Sequence, residues 1–272
     1  MYKRLYLLLV FIAIAFSSPA QKKINADSLR LWDSLFHEAA KTEVYEPVPP
    51  IITPGTTPQD APSDALIMFN GKNLNAWYGD DSTKAPGWDV VNGILTVNKK
   101  RGGLMTRQKF IDYQLHLEYR IPANITGKDQ FRGNSGVWLA RTGVNDAGYD
   151  EGYSVQILDS YNSTTYVNGQ AGSLYKQSIP LANACKKPGE WQFYDIIWKA
   201  PRFNKNGSLQ SPGLVTVIHN GVLVLNNAEV KGKTLWFGEP YYKAHGALPM
   251  KLELHADPSE PISFRNIWLR KL

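Results

Sequence analysis

From Asp64 onward the chain has almost no helical periodicity. Short runs of alternating or β-branched residues recur instead, at 88–97, 113–121, 136–141, 153–158, 191–199, 214–219, 222–225, 251–255 and 262–269. Turn pairs separate them: Asn92-Gly93, Asn206-Gly207 and Asn220-Gly221. Asn-Gly between two β-branched runs is a strong hairpin signal, because both residues tolerate the positive φ of a tight turn. Many strands without an internal repeat predict an all-β fold, a two-sheet jelly-roll sandwich rather than a propeller. A chain of 272 residues, 43% hydrophobic and 12% aromatic, has ample material for its core and is too apolar for disorder.

The segment before Asp64 divides into three. Residues 1–20 read as a signal peptide: Lys3 and Arg4, then an apolar run from Leu5 to Phe16, then Ser18-Pro19-Ala20 with small residues at the cleavage positions. That run is shorter than the roughly 20 residues a membrane span needs, so an exported protein, periplasmic or extracellular, is expected without a stable membrane anchor. Residues 21–63 form a leader. Asn25 or Asp27 is placed to cap a short N-terminal helix running to about Lys41, with Leu29, Trp32, Leu35, Phe36 and Ala39 on one stripe. Such a stripe packs on its own domain or receives a partner. Pro47, Pro49, Pro50, Pro54, Pro58 and Pro62 then keep the chain extended, as a linker or as a strap along the domain surface. The main domain is residues 64–272.

Other classes are excluded by counting. A single cysteine, Cys185, makes neither a disulfide framework nor a four-thiolate zinc site. Lys and Arg number 30 against 24 Asp and Glu, but they are scattered and form no nucleic-acid stripe.

Strand parity assigns the side chains to faces. In 113–121, Leu115, Leu117 and Tyr119 point inward, and His116, Glu118 and Arg120 outward. In 135–141, Val137 and Leu139 are inward, Ser135 and Arg141 outward. In 153–158, Ser154 and Gln156 are outward; in 251–255, Glu253 and His255 are. Trp138, beside the glycine-flanked Asn134-Ser135 turn, is the best candidate for a sugar platform, although its parity, opposite to Arg141, favours the core. On a convex sheet these polar faces are ordinary solvated surface; on a concave one they line a groove suited to sugars.

A set of motifs carries a resemblance. They are FNGKNLNAW at Phe69 to Trp77, Trp88 with Asn92-Gly93, GLMT from Gly103 and YQLHLEYR from Tyr113. GNSG from Gly133 with Arg141, VQILD from Val155, GEW from Gly189 and FRNI from Phe264 follow in the same order. Together they span about 65–272 and resemble the 3-keto-disaccharide hydrolase domain family. The resemblance implies a concanavalin-like jelly roll, akin to lectins and laminarinase-type glycosidases, with a sugar site on the concave sheet. Two departures stand out. The family usually has Glu before the Val-Gln-Ile-Leu-Asp stretch, where this chain has Ser154. Its usual Gln-Asp-His-Gly stretch reads Glu253-Leu254-His255-Ala256 here. A carboxylate lost at 154 is thus replaceable by Glu253, provided the two positions are close in space.

A conventional glycosidase needs two carboxyl groups about 5–9.5 Å apart. The stretch where laminarinases carry theirs reads Ser154, Gln156 and Asp159, so that pair is missing. A 3-keto sugar asks for less. Its ketone acidifies the proton on carbon 2, one base removes it, and the glycosidic oxygen leaves carbon 1; water then adds back or the unsaturated product departs. Such a site needs a near-neutral base and a cationic partner for the enolate. His255 is the expected base with Glu253, and Arg141 the cation. Asn134, Gln156, Asp159, Arg120 and Trp138 are expected to bind an oligosaccharide or glycoside substrate. His255, Glu253, Glu118 and His116 would hold one divalent metal ion if two strands converge; no organic cofactor is expected. A non-catalytic, lectin-like binding module is the alternative. His37, His219 and His245 read as surface, structural or loop residues, and Asp80-Asp81 as a turn.

Overall fold

The computed structural model describes residues 26–145 and 148–272. The expected signal peptide and the Asn25 cap lie outside the described residues. The chain divides into two compact units, Met1–Ile51 and Ile52–Leu272. In the first, helix α1 (Ala26–Ala40) has Asp27 in its first turn, and the rings of Trp32 and Phe36, four residues apart, lie 6.0 Å from one another. Among the described residues no helix is long and apolar enough to cross a membrane.

The second unit is an antiparallel two-sheet jelly-roll sandwich. The large sheet orders β13 (Val222–Glu229), β12 (Leu214–His219), β9 (Trp191–Lys199), β6 (Tyr113–Arg120), β15 (Ser263–Lys271), β4 (Ile94–Thr96) and β3 (Asp89–Val91), with β1 (Leu66–Phe69) also on β15. The small sheet orders β2 (Trp77–Tyr78), β5 (Leu104–Phe110), β14 (Leu248–Leu252), β7 (Ser135–Val144) and β8 (Asp150–Ile157). A hairpin of β10 (Arg202–Phe203) and β11 (Leu209–Ser211) stands apart. Two of the three Asn-Gly pairs behave as expected: Asn92 and Gly93 join β3 to β4 at φ 52° and 78°, and Asn220 and Gly221 join β12 to β13 at 52° and 83°; in the third only Gly207 has positive φ. Strand β5 was not among the expected runs. Its sequence LMTRQKF buries both ends and exposes the middle, so it lacks the alternation by which a strand is recognised.

The core lies between the sheets. Tyr113, Leu115, Leu117 and Tyr119 of β6 and Tyr194, Ile196 and Trp198 of β9 meet Val137, Leu139, Tyr153, Val155, Ile157 and Leu252 of the small sheet, all at most 1% exposed. Buried phenols need acceptors, and two of them join the sheets. Tyr113 Oη donates to Leu139 O at 2.7 Å and Tyr194 Oη to Gln156 O at 2.8 Å. The second bond fixes β8 at the point where its outward side chains matter most.

The proline segment from Ile52 is a strap on the large sheet. Gln59 O accepts from Asn266 Nδ2 and Trp268 Nε1, each at 2.9 Å. It crosses the face that carries His116 and Glu118.

Candidate active site

On the small sheet, register decides which side chains are neighbours. Val137 pairs with Val155 and with Leu252, all core residues, so the adjacent row of Lys251, Trp138 and Ser154 faces outward. The next outward row is Glu253, Gly136 and Gln156: Gly136 pairs with Gln156, and Glu253 N donates to Gly136 O at 2.9 Å. Trp138 therefore stands on the outer face, correcting the core placement that parity suggested. Ser135 is turned inward and buried, its Oγ donating to Glu253 O at 2.8 Å. Irregular register between Trp138 and Ala140 returns Arg141 to the outer side despite its odd number.

Gly136 makes the site. A β-carbon there would stand 2.6 Å from Glu253 Oε2 and 2.8 Å from Ser154 Oγ. The carboxylate and hydroxyl thus share the space that a side chain would fill, and the closeness required for Glu253 to replace a carboxylate at 154 is met. Glu253 is deep within the protein while part of it still reaches solvent. Burial pushes its carboxyl up to about 7; His255 and Lys251 pull it down and Asp150 pushes it further up. The Trp138 indole N–H is buried without a regular hydrogen bond, although it lies close enough to Glu253 to favour the carboxylate.

His255 stands beside Glu253 in a cleft they share with Asn134, Asp257 and Lys99, with room for about one water at ≈ 10 Å³. Asp257 Oδ2 lies 3.1 Å from His255 Nδ1 and orients the ring. Burial would raise the Asp257 carboxyl, but His255 and Ser259 hold it below its ordinary value. On the other side, Gln156 Nε2 donates to Gln130 Oε1 at 2.9 Å and to Asn134 Oδ1 at 3.3 Å.

Arg141 lies on the same face at its far end. Its Nε donates to Asp150 Oδ1 at 2.5 Å, and Asp150 Oδ2 accepts from Lys251 Nζ at 2.5 Å, which also reaches Asp80 Oδ1 at 2.6 Å. Lys251, buried and two residues before Glu253, is thus the nearer cation. Nothing in the sequence singled it out. Asp80, read as a turn residue, helps to hold it; Asp150 had no sequence signal.

The remaining expectations are corrected. His116, Glu118 and Arg120 point outward from β6, which belongs to the other sheet. His116 is stacked on Trp268 at 5.3 Å between centroids, and its Nδ1 lies 2.7 Å from Asp195 Oδ1. Glu118 accepts from Arg265 Nε at 2.6 Å and Asn266 Nδ2 at 3.0 Å. Burial would raise its carboxyl, but His116, Asn266 and Arg265 bring it down to about 2. Arg120 sits 4.7 Å over the Trp191 ring. Asp159 is buried against Arg132, at 2.6 Å, and does not face the site. The four residues proposed to hold a metal therefore do not converge, and among the described residues no group of three or more His, Cys, Asp or Glu is arranged to hold one.

The two-sheet jelly roll, with a buried carboxyl and an imidazole together on one face, is that of a carbohydrate-active, glycosyl hydrolase-like protein. Residues 64–270 match the 3-keto-alpha-glucoside-1,2-lyase-like domain, and the chain belongs to that family. A Parabacteroides distasonis protein provisionally described as a glycosyl hydrolase is 54% identical, with 86% of this chain and 96% of that one covered at a TM-score of 0.78. A second structure from the same organism, provisionally described in the same terms, is 16% identical with a TM-score of 0.56, over 82% of this chain and all of that one, and shares the fold alone. A search of curated proteins found no match.

Proposed function

We propose that this protein cleaves the glycosidic bond of a 3-keto-glycoside by base-driven elimination on the outer face of the small sheet. The observation that carries this reading is the position of Glu253, deep beside His255 and facing Ser154 across a glycine. A base works best with a pKa near the working pH, and burial brings Glu253 to about 7.

In this scheme the Glu253 carboxylate takes the proton from carbon 2. The electron pair passes to the ketone oxygen as an enolate, which Lys251 and the Trp138 N–H stabilise electrostatically. Collapse of the enolate breaks the bond from carbon 1 to the glycosidic oxygen, and protonated His255, held by Asp257, supplies the leaving oxygen with its proton. The product is an enone. Addition of water across its double bond completes a net hydrolysis, and the cleft between Glu253 and His255 suits a water rather than a ring. No step passes through a metal, since among the described residues no His, Cys, Asp or Glu group is arranged to hold one.

The charged, then apolar start of the chain supports an exported location, periplasmic or extracellular. A purely binding role would leave Glu253 and His255 dispersed; their shared cleft favours chemistry. The test is turnover of methyl 3-keto-α-glucoside beside methyl α-glucoside, with Glu253→Gln as control. Cleavage of the keto compound alone, lost in the variant, supports the proposal. Saturable sugar binding without turnover of either compound would replace it with a lectin-like module.

A further inference from the structure

Two loops beyond β8 are bonded to that strand, and Ser154 holds one residue of each. Ser154 O accepts from Tyr175 N at 3.1 Å, and Ser154 N donates to Thr234 Oγ1 at 3.0 Å. The same residue's hydroxyl faces Glu253 across Gly136. Between these two loops, 166–177 and 235–240, lies an open groove of about 400 Å³, within the usual range for small-molecule sites. The mechanism above makes no use of it.

Its walls are aromatic and exposed. Trp236 is 59% exposed, Phe237 62% and Tyr166 40%, with Tyr175 completing the set. Large apolar rings held at the surface mark binding sites more often than accidents. Here they are braced: Tyr166 and Tyr175 hydroxyls lie 2.6 Å apart, and Lys176 Nζ donates to Trp236 O at 2.6 Å, tying one loop to the other. Asn168 and Glu239 line the groove beside the rings. Flat apolar surfaces beside hydrogen-bonding groups match a pyranose, which has C–H faces and a hydroxyl rim. Tyr175 links the groove to the site through its backbone bond to Ser154; burial and then Tyr166 push its phenol up, and the Glu253 charge adds to them.

We infer that this groove is a second sugar subsite, which holds the leaving-group ring of the substrate while the 3-keto ring lies over Glu253. The inference rests on the catalytic reading above, and names the residues that select a disaccharide over a simple glycoside. It makes Trp236 and Phe237 a platform for the leaving ring, contributing binding rather than proton transfer.

The experiment compares 3-keto-trehalose, whose leaving group is glucose, with methyl 3-keto-α-glucoside. Trp236→Ala should lower kcat/KM on the disaccharide about tenfold, chiefly through KM, and leave the methyl compound unchanged. Trp236→Phe should restore most of the loss. Equal losses on both substrates, or no loss on the disaccharide, would overturn the subsite. If neither keto compound is turned over, the catalytic reading fails on its own, and binding decides the subsite. Saturable quenching of tryptophan fluorescence by trehalose, abolished in Trp236→Ala, would support it; no saturable change in the wild type would overturn it.

Discussion

The Glu253 carboxylate and the Ser154 hydroxyl converge on Gly136, within 2.6 and 2.8 Å of where its β-carbon would stand. Two strands on either side of β7 thereby supply one polar site through the gap that a glycine leaves. The gap also explains why a carboxylate absent from position 154 is compatible with chemistry at the same place.

Gly136→Ala tests that gap. The added methyl meets only the far ends of two side chains, so the fold should persist with a cost of about 1–3 kcal/mol from overpacking. The carboxylate must move, and misplacement by about 1 Å can cost on the order of 100-fold in rate. A modest drop in Tm with a loss of at least tenfold in kcat/KM is expected.

The pH dependence has a definite sign. The base must be ionised, so kcat/KM should rise with pH through about 7, and it should fall again at higher pH, where His255 no longer carries the proton for the leaving oxygen. Folding runs the other way. A carboxyl whose pKa is raised on folding binds more protons folded than unfolded, so stability falls as pH climbs from about 4.5 to about 7. At roughly 1.4 kcal/mol per unit, the loss is on the order of 3 kcal/mol. Glu253→Gln should therefore be inactive yet have a higher Tm than the wild type at pH 8, and the same Tm or lower at pH 5; thermal melts at both values check this.

The outer face of the large sheet should be irrelevant to catalysis. Glu118→Gln removes the partner of Arg265 and His116 and should cost about 1–3 kcal/mol, measured by denaturant unfolding. Its kcat/KM should stay within twofold of wild type. A large loss of activity in a folded variant would return His116 and Glu118 to the site.

Chelation offers a separate check. Because no metal step is used, EDTA should leave turnover unchanged after dialysis. Loss of activity restored by a divalent cation would show that ligands beyond those described here are recruited.

Much of the fold was legible because its signals are local. The Asn92-Gly93 and Asn220-Gly221 turns and the alternation of β6, β9 and β12 rest on the residues themselves. The outward placement of Gln156, Glu253 and His255 followed from period two. Two things were not local. Parity says which residues share a face of one strand, but not which sheet that strand joins, so His116 and Glu118 were grouped with residues of the opposite sheet. The irregular register in β7 breaks the count within a strand, which misplaced Trp138 and Ser135. The grouping of Lys251 with Asp80 and Asp150 depends on three distant segments, and no spacing encodes it.

The central claim is that the bond from carbon 2 to hydrogen breaks before the glycosidic bond does. The most direct measurement is the kinetic isotope effect on kcat/KM for methyl 3-keto-α-glucoside carrying deuterium at carbon 2. A primary effect of about twofold or more, with solvent hydrogen appearing at carbon 2 of the hydrated product, is the predicted result. Cleavage with no isotope effect, and with methyl α-glucoside hydrolysed as readily, would contradict the account.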